Sequence, residues 1–204
     1  MRSDWYWVRH GALLQDPGRY AGRLDLPTVP PDMVMARRLM SQLPQGAVWL
    51  TSPLVRARQT VQALDPAANA TVVEDLTDQD LGGWAGRRQS EVHKVNPQID
   101  WSEPASIVPE GGEGFDAVVN RVAALIQRLT LHYPDRPLVV VSHLALIRAA
   151  MVLALDLPNK GGFQFDVSPH SLTHLSWTGQ DDLSEQSDER LGTWRVHTIN
   201  RVLV

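Results

Sequence analysis

The feature that most constrains the fold is an apolar, β-branched run from Leu138 to Val141, which ends on the polar pair Ser142-His143. A continuous apolar run of this length is typical of a strand buried on both faces of a parallel sheet. An apolar helix is predicted directly after it, from about Leu144 to Leu155. We therefore expect Leu138–Val141 to be a central strand of an α/β sheet.

Predicted strands alternate with predicted helices over the first three-quarters of the 204 residues. The periodicity predicts strands at 5–8, 47–50, 71–73, 138–141, 163–167, 172–177 and 194–199, and helices at 31–43, 54–64, 88–94, 115–131 and 144–155. Such alternation is typical of an α/β fold with a mostly parallel sheet. No linker divides the chain, so we expect one domain over residues 1–204, with a loop-and-helix cap inserted around 76–114.

Composition excludes several classes of function. The sequence has no cysteine, which excludes thiol nucleophiles, cysteine-based zinc sites, iron–sulfur clusters and disulfides. With a formal net charge of −4, no general attraction to nucleic acid or anionic membrane is expected. The longest uncharged apolar segment is too short to span a bilayer, and the N-terminus lacks the apolar stretch of a signal peptide. We expect a soluble, cytoplasmic protein; the sequence gives no indication of its oligomeric state.

Charged residues follow three of the predicted strands. Arg9 and His10 follow the first strand, Arg56 lies shortly after the second, and His143 follows the fourth. Ligands in open α/β sheets bind at the carboxyl ends of the strands. If the sheet is parallel, two histidines and two arginines therefore converge at one edge.

Such a group of side chains suits phosphoryl transfer. Guanidinium groups pair well with phosphate oxygens, and a neutral imidazole is a competent nucleophile when a carbonyl holds one ring nitrogen as N–H. A second histidine, if protonated, can donate to the phosphoryl oxygens, and Gly11 would let the backbone approach a ligand closely. Any one of these residues alone is more often a surface or structural residue; their joint placement favours a functional site.

Four ordered blocks of sequence resemble the histidine phosphatase superfamily, in the branch that contains cofactor-dependent phosphoglycerate mutases, α-ribazole phosphatases and broad-specificity phosphatases. The blocks are Val8–Gly11, Ser52–Thr60, Pro109–Glu113, and Val140–His143 followed by Ile147-Arg148. The resemblance extends from about Trp5 to the last strand.

The resemblance implies a phosphoglycerate mutase-like, three-layer α/β/α fold. It also implies a phosphomonoester hydrolase that acts on a small phosphorylated metabolite, without a metal ion or other cofactor. By this resemblance His10 becomes phosphorylated, and Arg9, Arg56 and His143 hold the phosphoryl group. The family's proton donor is usually glutamate, and its position falls on Asp78, which is shorter by one methylene. Asp80, Asp75 and Glu74 are the alternative donors.

Two other functions remain open from the sequence. One is a phosphoglycerate mutase-type phosphotransferase, which is less favoured because the loop after Gly11 lacks the asparagine of the mutase-like signature. The other is a catalytically weak or inactive member that binds a phosphorylated ligand. This second alternative rests on Asp78 and on Asp16, which stands where the family commonly has that asparagine.

Overall fold

The structure, a computed structural model, describes residues 1–15, 18–179 and 192–203. Its strands are β1 (Arg2–Arg9), β2 (Val48–Thr51), β3 (Thr71–Val72), β4 (Leu138–Ser142), β5 (Leu172–Gly179) and β6 (Gly192–Arg201). Its α-helices are α1 (Met33–Met40), α2 (Val55–Leu64), α3 (Gln89–Val95), α4 (Phe115–His132) and α5 (Leu144–Leu155). None of the helices in these ranges is long and apolar enough to cross a bilayer.

The six strands form one mixed sheet in the order β3-β2-β4-β1-β5-β6. β3, β2, β4 and β1 are parallel neighbours, whereas β5 and β6 extend the sheet with antiparallel pairings. Every residue of β4 is buried, as its continuous apolar sequence predicts. The parallel half of the sheet brings the carboxyl ends of β1, β2 and β4 to one edge.

Helices cover both faces of the sheet, which confirms the three-layer α/β/α architecture. Leu138 and Val140 of β4 belong to a core cluster with α4 and α5. Val139 and Val141 belong to a second cluster with α1 and α2. Successive side chains of a strand point to opposite faces, so one short strand anchors both layers.

The predicted strand at 163–167 is wrong. Residues Asn159–Gln164 form a 3₁₀ helix, and the residues that follow pair with no strand in the described part of the chain. Two arginine side chains bind backbone carbonyls here instead: Arg148 donates to the Phe165 carbonyl and Arg9 to the Val167 carbonyl. These carbonyls therefore have partners without joining the sheet.

Between β3 and α4 the chain forms α3 and three short 3₁₀ helices, Glu74–Leu76, Gly82–Trp84 and Pro104–Ser106. This part of the chain includes the segment 76–114 that the sequence suggests as a cap. The single-domain organisation stays a prediction. Asp16 lies outside the described residues, as does most of the predicted acidic loop at 180–192.

Candidate active site

The edge formed by β1, β2 and β4 brings together the side chains that follow them. Arg9 of β1 pairs in register with Ser142 of β4, and the His10 backbone N–H donates to the Ser142 carbonyl at 3.0 Å. His10 and His143, each one residue past this pair, place their ring centroids 5.0 Å apart. The parallel register thus produces the convergence that the sequence predicts.

The hydrogen bond of His10 fixes the role of each ring nitrogen. Its Nδ1 lies 2.6 Å from the Gly11 carbonyl oxygen, which only accepts, so Nδ1 carries the proton and Nε2 keeps its lone pair. Burial lowers the pKa of His10 well below 6.5, and the neighbouring His143 and Arg56 lower it further. At neutral pH the ring is uncharged and its Nε2 is available as a nucleophile.

Arg56 is fully buried and links three parts of the site. Its Nε donates to His143 Nδ1 at 3.1 Å, and its Nη2 donates to Asp78 Oδ2 at 3.0 Å. Its remaining bonds go to the carbonyls of Gly22 and Leu24, each at 2.7 Å. These four contacts leave the guanidinium little freedom, so its charge is fixed at the base of the site.

His143 is also fully buried and is a neutral ring in this environment. Its Nδ1 accepts from Arg56, so its Nε2 carries the proton and donates to Ser52 Oγ at 2.7 Å. Burial and the charges of Arg56 and Arg9 lower the pKa of His143 well below 6.5. The sequence left its protonation open; a bound phosphate dianion would add negative charge and shift the ring back toward its charged form.

Arg9 lines the cleft, and most of its N–H donors have no partner among residues 1–15, 18–179 and 192–203. Its Nη1 donates to the Val167 carbonyl, and its buried Nε has no hydrogen-bond partner among the described residues. A guanidinium has five N–H donors, so this group retains capacity to bind an anion.

The structure separates the four candidate acids. Asp78 lines the cleft with its side chain 18% exposed, and its Oδ2 lies 3.6 Å from His143 Nδ1. Asp80 faces Arg23 instead, with 3.4 Å between its Oδ2 and the Arg23 Nη1. Asp75 pairs with Arg128 at 2.6 Å, and Glu74 is exposed. Only Asp78 of these four therefore lies beside Arg56 and His143.

The cleft has a volume of about 310 Å³, which is in the range of small-molecule sites. Its lining includes polar and apolar residues that sequence reasoning did not assign to the site: Tyr20, Gly22, Gln79, Gln89, Phe115, Leu144, Arg148 and Phe163. Tyr20 and Gly22 lie in the long Gly- and Pro-rich loop at 12–31. The length of this loop could have indicated that it contributes to the site, because such loops are often functional.

Gly11 is closely packed in the structure. A Cβ at this position would collide with the Val29 carbonyl oxygen and the Thr28 hydroxyl. Packing against the 28–29 segment therefore requires a glycine here, and the approach of a ligand to its backbone stays a prediction.

His10, Asp78 and His143 could together present ligand atoms to a metal ion, because these atoms lie within 4.8 Å of one another. Their existing contacts disfavour this use. The Arg56 guanidinium already binds both Asp78 Oδ2 and His143 Nδ1, and Arg9 adds a second positive charge at the cleft. The site is therefore better suited to an anion than to a cation.

Comparison with known proteins agrees with this geometry. Residues 5–187 match the histidine phosphatase superfamily (branch 1). Phosphoserine phosphatase 1 of Hydrogenobacter thermophilus is 30% identical over 178 residues, which cover 82% of this chain and 84% of that protein. A bifunctional protein of Mycobacterium tuberculosis is 36% identical over 114 residues, or 54% of this chain; the match spans only about a third (31%) of that protein's length.

Solved structures share the fold. "Mycobacterial hydrolase 2" superposes with a TM-score of 0.82 at 26% identity, covering 98% of this chain and 91% of that one. A mycobacterial glucosyl-3-phosphoglycerate phosphatase superposes with a TM-score of 0.81 at 24% identity, covering 98% and 99% of the two chains.

The two buried histidines predict a loss of stability in acid. Their pKa values are lower in the folded protein than the ordinary value of about 6.5, so below that pH the unfolded chain binds more protons. The free energy of unfolding should then fall as the pH drops from 6.5, by up to about 1.4 kcal/mol per pH unit for each histidine. Urea unfolding between pH 7.5 and 5 measures this slope.

His143→Gln should make the free energy of unfolding depend less steeply on pH. Leu125→Ala, which destabilises the core but keeps both histidines, should leave this dependence on pH unchanged. Equal slopes in wild type and His143→Gln would contradict the assignment of a buried, neutral His143.

Proposed function

This chain belongs to the histidine phosphatase superfamily (branch 1), and from that premise we propose that it is a phosphatase that hydrolyses a small phosphomonoester through a phosphohistidine intermediate. The observation that carries the proposal is the His10 ring, whose Nδ1–H is held by the Gly11 carbonyl while its Nε2 keeps a lone pair at the cleft. The relatives named as phosphatases of phosphoserine and of glucosyl-3-phosphoglycerate support the same class of reaction.

The phosphoryl group binds between Arg9 and the buried base of the site. Arg9 supplies the unused donors, and Arg56 supplies a fixed positive charge. Phosphoryl transfer depends mainly on positioning and on stabilisation of charge, which two guanidinium groups provide without a divalent ion.

In the first chemical step, His10 Nε2 forms a bond to phosphorus and the ester P–O bond breaks. Asp78 gives a proton to the departing oxygen. In the second step water attacks phosphorus, the N–P bond breaks, and the proton lost by water returns to Asp78. Inorganic phosphate then leaves, and His10 recovers its neutral form.

His10→Ala tests the nucleophile. Because the variant has no group that can accept the phosphoryl, kcat/KM for an aryl phosphate should fall by more than about a thousandfold. His132→Ala, an exposed histidine at the end of α4, should retain wild-type activity. Each protein is assayed with and without excess chelator, which should not change the wild-type rate.

Substantial activity in folded His10→Ala would contradict the mechanism. Loss of wild-type activity on chelation, restored by one metal, would contradict the metal-free part of it. A wild-type protein that binds phosphate without turnover would be a binding protein, and net transfer between phosphoglycerates would indicate a mutase.

Asp78→Asn tests the proton donor. A poor alkyl leaving group needs a proton in the transition state, whereas an activated aryl leaving group hardly does. The variant should therefore lose roughly a hundredfold to ten-thousandfold in kcat on alkyl phosphates and little on aryl phosphates. Asp80→Asn is the matched control and should lower kcat only slightly on both substrates. The same selective loss in Asp80→Asn, with Asp78→Asn unaffected, would transfer the role to Asp80.

A further inference from the structure

The segment that carries Asp78 is held from outside the cleft by three charged side chains, Arg23, Glu113 and Arg121, which we call the clamp. Glu113 is its centre. One oxygen, Oε1, accepts from Arg121 Nη2 at 2.8 Å, from Arg23 Nη2 at 3.1 Å and from the Asp80 backbone N–H at 3.0 Å. The Glu113 and Arg121 side chains are each 17% exposed, so this pair is largely shielded from solvent.

The two arginines of the clamp bind the backbone of Asp78 and of residues before it, and Glu113 binds the backbone after it. Arg121 Nη1 donates to the carbonyls of Asp75 and Thr77 at 2.7 and 2.8 Å. Arg23 Nε donates to the carbonyl of Asp78 itself at 3.2 Å. Together with the bond from Asp80 to Glu113, backbone groups of four residues between 75 and 80 are fixed by side chains of the clamp.

Backbone contacts join the same two loops. The Glu113 N–H donates to the Asp80 carbonyl at 2.9 Å, and the Gln79 side chain donates to the Glu113 carbonyl at 2.9 Å. A Cβ on Gly112 would lie 2.5 Å from the Asp80 carbonyl oxygen, so only glycine permits this approach. The position of the 75–80 segment is therefore set by the loop at 109–113.

That loop is rigidly connected to the core. Glu113 directly precedes Gly114, the N-cap of α4, and Arg121 lies within α4, whose apolar side is buried. The clamp thus connects the Asp78 segment to an 18-residue helix instead of leaving it as a solvated loop.

We propose that Glu113 is a positioning residue for proton transfer, because with Arg121 it holds the backbone that aims the Asp78 carboxyl group at the leaving oxygen. The inference rests on the proposed role of Asp78. Aspartate has a short side chain and cannot compensate for a displaced backbone, and a misplacement of about 1 Å can cost roughly a hundredfold in rate. A purely structural ion pair would instead affect stability, and any loss of rate would be the same for every substrate.

The test compares Glu113→Ala with Glu110→Ala, an exposed glutamate in the same loop, on an alkyl and an activated aryl phosphate. Glu113→Ala should lower kcat on the alkyl phosphate by about a hundredfold and on the aryl phosphate by no more than a few-fold. Glu110→Ala should have the wild-type kcat on both phosphates. Glu113→Gln keeps an acceptor oxygen but loses the charge. Its kcat on the alkyl phosphate should therefore lie between those of Glu113→Ala and wild type.

A double-mutant cycle gives the decisive comparison. Once Asp78→Asn has removed the donor, Glu113→Ala should cause no further loss on the alkyl phosphate. An equal loss on both substrates, or the same loss in the Asp78→Asn background as in wild type, would overturn the proposal. If Glu113→Ala does not fold, Glu113→Gln and Arg23→Ala are judged by the same two criteria.

Failure of the proposed donor role of Asp78 is distinguished from failure of the inference by a separate result. It would appear in Asp78→Asn alone, as the absence of any dependence on the leaving group, and it would remove the basis of this inference as well. Failure of the inference alone would appear as a leaving-group effect in Asp78→Asn that Glu113→Ala does not reproduce.

Discussion

The buried guanidinium of Arg56 is the interaction on which the site depends. Burying a charge is costly unless it is paired and fully hydrogen-bonded. Here the cost is offset by four hydrogen bonds: to an oxygen of Asp78, to the carbonyls of Gly22 and Leu24, and to the His143 ring. One side chain of α2 thereby fixes the loop, the candidate acid and the second histidine relative to one another.

The same charge sets the protonation of the site. Arg56 disfavours a proton on either His10 or His143, in addition to the larger effect of burial on both pKa values. The proposed nucleophile is therefore kept neutral in part by the same group that is proposed to bind the phosphoryl charge. This coupling explains how one compact cluster meets two opposite needs, a strong positive potential for the substrate and an uncharged imidazole for attack.

The sequence predicts the convergence of the site because convergence requires only parallel strands with suitable residues at their carboxyl ends. The apolar run of β4 indicates its central place, and Arg9, His10 and His143 follow from register. Contacts made by backbone atoms leave no such signal. Arg56 is held by the backbone carbonyls of Gly22 and Leu24, and any residue type could supply such a carbonyl. In the same way, the segment 163–167 is predicted to be a strand, but its carbonyls accept hydrogen bonds from arginines that are distant in sequence. The choice between Asp78 and Asp80 likewise depends on loop packing, since the clamp turns one toward Arg56 and the other toward Arg23.

The most direct test of the account is the site of phosphorylation on the enzyme itself. Wild-type protein mixed briefly with an aryl phosphate and quenched in alkaline denaturant should carry acid-labile, alkali-stable phosphate on His10. Because the Gly11 carbonyl holds Nδ1 as N–H, phosphorus NMR of the trapped protein should show the group on Nε2. Phosphate on Nδ1 of His10, or on any other side chain, would contradict the account.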